Sequence, residues 1–69
     1  MYGKKMREHR ENAGLSQTQL GKQTNISHQN INRWERDIIS PSIEYCVILA
    51  DFYGISIDEL IGHEIKKNW

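Results

Sequence analysis

Two short stretches constrain this chain more than anything else in it. Ser16-Gln17-Thr18-Gln19 and Ser56-Ile57-Asp58-Glu59 are capping boxes. In such a box the first hydroxyl accepts from the backbone N–H three residues on, and the fourth side chain reaches back to the first residue's N–H. Each box starts a helix. The stops are equally plain, because Gly14, Asn25, Gly54 and Gly62 tolerate the left-handed conformation that closes a helix. No window alternates apolar and polar residues between turn pairs, so strand signals are nearly absent. The punctuation predicts short helices at about 3–13, 17–24, 28–36, 42–53 and from 57 through Leu60 and Ile61.

The apolar spacing assigns an inner face to each helix. Met6, Arg10 and Ala13 share a stripe on the first. Ser27 is a good N-cap for the third, whose Ile31 and Trp34 lie three apart on one side. Pro41 suits the first turn of the fourth, and either Ser40 or Ser42 can cap it. That helix is apolar nearly all round from Ile43 to Tyr53, which predicts a central position. The expected fold class is all-α, a compact five-helix unit over residues 1–62 followed by a tail, 63–69. A chain of 69 residues buries about 60% of its unfolded surface. That provides one small core and little room for a deep substrate cavity. No apolar run reaches the ~18 residues of a membrane span, and the charged N-terminus lacks a signal-peptide apolar region. A small cytoplasmic domain is expected.

Net charge is zero, but its distribution is uneven. Residues 1–36 hold seven basic and three acidic side chains, whereas residues 37–69 hold two basic and six acidic. A chain with basic and acidic halves points to one polyanion-facing side and one solvated or self-associating side. The basic half also contains the sharpest motif. Two short helices joined by a tight turn form a helix-turn-helix, and residues 17–36 meet its demands. Gly21 allows close approach of the two helices, Asn25 supplies the positive φ, and Ile26 and Ile31 plug the space beneath. The outer face is then left with His28, Gln29, Asn32, Arg33 and Arg36, with Asn30 near the helix start. All of them carry hydrogen-bond donors.

Leu15-Ser16-Gln17, Leu20, Ile26-Ser27, Ile31, Trp34-Glu35, Pro41-Ser42, Leu49-Ala50 and Ile57-Asp58-Glu59-Leu60 together resemble the Cro/C1-type helix-turn-helix family of phage repressors and bacterial regulators. The resemblance runs from about residue 3 to 61. It implies a five-helix domain whose third helix lies in the DNA major groove, in a dimer reading a pseudo-palindromic operator. By position it implies base reading by Ser27, His28, Gln29, Asn32 and Arg33. It implies phosphate contacts from Gln17, Asn30, Arg36, Ser40 and Ser42, and an internal salt bridge between Arg10 and Glu35. The chemistry agrees: Gln29 can pair bidentately with adenine N6/N7 and Arg33 with guanine O6/N7.

Several positions depart from the family pattern. His9 and Thr24 stand where leucine-like residues are usual, Asn25 replaces a turn glycine, and Gly21 replaces alanine. Glycine in a helix costs up to ~1 kcal/mol against alanine, so a less stable N-terminal half is expected. Asp37 replaces a frequent glycine and Ile38-Ile39 a basic loop, which weakens the phosphate grip there.

The expected partner is double-stranded DNA, bound by a homodimer, with no membrane and no small-molecule ligand. Ile57, Ile61, Ile65 and Trp69 form the candidate dimer surface, with packing inside the monomer an equal alternative. An antitoxin or adaptor using the same fold is the rival reading. No cofactor or metal is expected: His9, His28, His63 and Cys46 lack zinc-ligand spacing, and Cys46, inside an apolar helix, reads as a buried structural thiol. Without paired catalytic groups, an enzyme is not expected.

Overall fold

A computed structural model describes residues 2–63. Five helices follow in order: α1 Gly3–Asn12, α2 Gln17–Thr24, α3 His28–Glu35, α4 Ile43–Tyr53 and α5 Ile57–Ile61. There is no strand among the described residues. Both stretches start helices, but only the first closes as a reciprocal box; in the second the Glu59 carboxylate meets the Ser56 hydroxyl, at 3.5 Å, in place of the Ser56 N–H. Ser16 Oγ accepts from the Gln19 N–H at 3.0 Å while Gln19 Oε1 accepts from the Ser16 N–H at 2.8 Å. Ser56 Oγ accepts from the Glu59 N–H at 3.1 Å. The cap of α4 is Ser42, whose Oγ accepts from the Tyr45 N–H at 3.4 Å. Asn25, Gly54 and Gly62 close their helices in the left-handed region.

Three boundaries fall one residue short of expectation. α4 begins at Ile43 behind its Ser42 cap, which leaves Pro41 ahead of the helix rather than in its first turn. Ala13 is the C-cap of α1 and is exposed, so the inner stripe of that helix is Met6 and Arg10 without Ala13. Arg36 caps α3 rather than extending it, because the chain turns at Asp37, which takes φ +59°. The Asp37 carboxylate then accepts from the Gly3 N–H at 3.0 Å, tying the start of α1 to the end of α3.

The core consists of Met6, Leu20, Ile26, Ile31, Trp34, Cys46, Leu49, Ala50 and Leu60. α1 packs on α3 and α5, α2 on α3 and α4, and α4 on α5. The central position expected for α4 is not observed. Only Cys46, Leu49 and Ala50 of that helix are buried, whereas Ile43 is 78% exposed and Val47, Ile48 and Phe52 also face outward. Packing against α2 and α5 covers one side of α4, and a domain this small has no further layer for the other.

Gly21 is an exception to helix propensity. A Cβ built there would lie 2.6 Å from the Ile26 carbonyl oxygen and 3.4 Å from the His28 nitrogen. Both are backbone atoms of the turn and cannot swing aside. The sequence-based expectation that this glycine weakens the domain is therefore reversed: alanine's gain of about 1 kcal/mol in propensity is smaller than the strain it would introduce. Gly21→Ala is expected to lower stability by about 1–3 kcal/mol, measured by urea denaturation. A rise in the midpoint would refute the close-approach argument. His9 is likewise engaged, with Nε2 2.8 Å from the Glu59 carbonyl oxygen and its ring 5.7 Å from that of Tyr53. Thr24 Oγ1 donates to the Leu20 carbonyl at 2.7 Å. Both unusual residues thus join helices or close a turn.

Candidate nucleic-acid interface

The sequence of α3 sorts its side chains into two faces. Ile31, Trp34 and Glu35 are buried; His28, Gln29, Arg33 and Arg36 are exposed; Asn30 and Asn32 are half-buried between them. Asn25, at φ 58° and ψ 34°, turns the chain so that α3 starts directly after α2. Its N–H donates to the Gly21 carbonyl, and Ile26 N–H donates to the same carbonyl at 3.0 Å. Ser27 Oγ accepts from the Gln29 N–H at 3.2 Å, which fixes the first turn of α3. That leaves its proton and its second lone pair to face outward.

Gln17, at the start of α2, and His28, Gln29, Asn32, Arg33, Arg36 and Ile38 line one open concavity of about 320 Å³. All five residues expected to read bases sit on or at the start of α3. Of those expected to hold phosphates, Gln17 and Arg36 border the concavity. Asn30 Oδ1 is 3.5 Å from Arg33 Nη1, close to the limit of a useful contact. Ser40 is exposed in the loop after α3, while the Ser42 hydroxyl oxygen serves as the α4 cap.

Behind this face lies a buried two-point ion pair. Arg10 Nε donates to Glu35 Oε2 at 2.7 Å and Nη2 to Oε1 at 2.9 Å, while Nη1 donates to the Leu15 carbonyl at 2.9 Å. The Glu35 side chain is 1% exposed and that of Arg10 11%. Donating to the Glu35 carboxylate holds the Arg10 guanidinium above its ordinary range, against the opposing effect of burial. Arg7 Nε also approaches Glu35 Oε1, at 3.6 Å, and Gln17 Nε2 donates to that oxygen at 3.2 Å. Sequence reasoning did not anticipate Arg7 or Gln17 at this carboxylate. The available signal was that Arg7 precedes Arg10 by one turn, which places both on neighbouring positions of α1.

Tyr53, at the end of α4, has a buried hydroxyl with no hydrogen bond among the described residues. Burial, and secondarily the Glu35 charge, pushes its ionisation up to about 12. Burial also raises the Cys46 thiol, which keeps it protonated and unreactive at neutral pH. The described residues hold no group of His, Cys, Asp and Glu able to bind a metal. None of their helices is long and apolar enough to cross a membrane.

The profile of a known domain, described as "Helix-turn-helix", matches residues 6–60. The chain belongs to the Cro/C1-type helix-turn-helix family. It is similar to the HTH-type transcriptional regulator ImmR of Bacillus subtilis (strain 168), at 34% identity over 68 residues, 96% of this chain and 54% of that protein. PuuR of Escherichia coli (strain K12), another HTH-type transcriptional regulator, is 33% identical over 96% of this chain and 36% of its own length. BcrR of Enterococcus faecalis, an HTH-type transcriptional activator, is 30% identical over 91% of this chain and 31% of its own length. The helix-turn-helix chain thus spans about half the length of ImmR and about a third of PuuR and BcrR. No solved structure matches it. What the matched region carries is a helix-turn-helix DNA-binding domain of the kind found in transcriptional regulators.

Proposed function

We propose that this protein is a cytoplasmic, sequence-specific double-stranded DNA-binding repressor. In this reading a homodimer sets α3 of each copy into the major groove of a pseudo-palindromic operator. The observation that carries it is the outer face of α3, where His28, Gln29 and Arg33 stand exposed beside half-buried Asn32. Hydrogen-bonding side chains at this spacing suit the donor and acceptor pattern of base edges. Ser27, His28, Gln29, Asn32 and Arg33 read bases. Gln17, Asn30, Arg36, Ser40 and Ser42 hold phosphates. Repression needs only occupancy of the operator, which this face alone supplies. No cofactor, metal or catalytic step enters the reading.

Homodimerisation would place the two copies of α3 about 34 Å apart, one duplex turn. Ile57, exposed, and Ile61, half-buried, support a contact at α5; Ile65 and Trp69 lie outside the described residues, as does most of the 63–69 tail. The rival reading, an antitoxin or adaptor that docks a protein, is favoured by the outward-facing Ile38, Ile39, Ile43 and Val47. Apolar side chains in the loop after α3 are poor phosphate ligands.

The test is selection from a random duplex library, with the winning sequence bound at two salt concentrations. An enriched palindrome with strong salt dependence supports the operator reading. Absence of binding at low salt rejects it in favour of the protein-docking reading. Arg33→Ala is expected to lose about 1–3 kcal/mol and to relax preference at one base step. Equal losses on all sequences would remove Arg33 from base reading. Arg36→Ala should weaken all sequences alike and lower the salt slope by about 1; an unchanged slope would remove it from the phosphate set.

A further inference from the structure

The face of α3 is connected to the buried ion pair by a continuous run of hydrogen bonds. Arg10 holds Glu35 at 2.7 and 2.9 Å. Glu35 Oε1 accepts from Gln17 Nε2 at 3.2 Å. Gln17 Oε1 in turn accepts from Asn32 Nδ2 at 3.3 Å. The direction of this run is dictated at its buried end. An ionised carboxylate only accepts, so the amide of Gln17 must turn its nitrogen toward Glu35. Its oxygen then faces Asn32 and can only accept, so the amide of Asn32 must turn its nitrogen toward Gln17. Two groups that are otherwise free to flip are set, one after the other, by a charge that is itself clamped by Arg10.

We infer that Glu35, acting through Gln17, is a positioning residue for Asn32, and that Asn32 is thereby preorganised to read adenine. One Nδ2 proton is spent on Gln17. The other proton and Oδ1 are left for the groove, and together they match the N7 acceptor and N6 donor of adenine. A flipped Asn32 would present the wrong edge. This inference rests on the DNA-binding reading above and deepens it: Gln17 becomes an orienting group for a base reader, in addition to any contact it makes with phosphate.

The experiment compares the full chain with Gln17→Met, Asn32→Ala and the double variant. Methionine keeps the length and helix preference of glutamine but cannot relay the hydrogen bonds. Affinity is measured for the selected operator and for every single-base-pair change in it. Asn32→Ala is expected to abolish a preference of about fivefold or more at one A·T step. Gln17→Met should reduce the preference at that same step toward parity, and the double variant should lose no more than Asn32→Ala alone. A purely structural or phosphate role for Gln17 lowers all affinities by one factor and leaves the ratios intact. Intact ratios in Gln17→Met, or multiplicative losses in the double variant, would overturn the inference. So would an Asn32→Ala protein that keeps every preference. The side-chain amide resonances of Asn32 in the DNA-free protein give an independent readout. They should shift in Gln17→Met, and unshifted resonances would overturn the coupling. If the wild-type chain shows no base preference at all, the DNA-binding reading itself fails, whatever the amide resonances show.

Discussion

Replacing Glu35 with alanine is expected to destabilise the domain by about 3–5 kcal/mol, the cost of leaving one member of a buried ion pair without its partner. Arg10 would then keep only its bond to the Leu15 carbonyl, in a site where its side chain is 11% exposed. Arg7 and Gln17 would lose the same acceptor. A single domain of 69 residues has about 3–10 kcal/mol of total stability, so the variant should lose a third of it or more and its melting temperature should fall by more than about 10 °C. Circular dichroism melting checks this. Replacing both partners, Arg10→Met with Glu35→Leu, should recover much of the loss, because a well-packed apolar pair removes the uncompensated charge. A double variant as unstable as the single one would show that packing at this site, rather than charge, is decisive.

Trp34→Ala should have an effect of similar size, about 3–5 kcal/mol, by a different route. Trp34 is 3% exposed and lies on the inner face of α3. Its ring centroid is 4.9 Å from that of Tyr45. Removing the indole leaves a cavity between α3 and α4 that short helices and their capped joints cannot collapse to fill. Trp34→Phe retains an aromatic contact and should cost less than half as much, as read from denaturant midpoints. The contrast with Arg33, its neighbour in sequence, is sharp. Arg33→Ala should leave the melting temperature almost unchanged, since surface substitutions are usually within about 0.5 kcal/mol. A large drop in stability for Arg33→Ala would mean that the two faces of α3 have been assigned wrongly.

Local chemistry made much of this molecule readable in advance. A helix cap needs only a side chain and a few backbone groups, all within four residues, so Ser16 and Ser56 act as the sequence says. The same holds for Asn25, whose tolerance of positive φ is its own property. The α2 and α5 starts and the order of five helices follow from such signals. The sorting of α3 into Ile31 and Trp34 inward, and His28, Gln29 and Arg33 outward, follows from helical periodicity.

Other features needed the assembled fold. The choice between Ser40 and Ser42 depended on where the backbone after Asp37 turns. The exposure of Ile43 and Val47 depended on how many helices pack against α4, which hydrophobicity along one helix cannot report. Gly21 has a poor helix propensity, yet the approach of the Ile26 carbonyl makes it the fitting residue. His9 reads as a misplaced polar group until the Glu59 carbonyl, fifty residues away, lies against it. The run from Arg10 through Glu35 and Gln17 to Asn32 spans three helices, and no spacing in the chain encodes it. The order of the helices, the caps of α2, α3 and α5 and the polar face of α3 are written in the chain, because they depend on interactions within a few residues. Which polar groups meet, and which apolar ones are left uncovered, follows from the packed fold alone, because those depend on contacts between residues far apart in the chain.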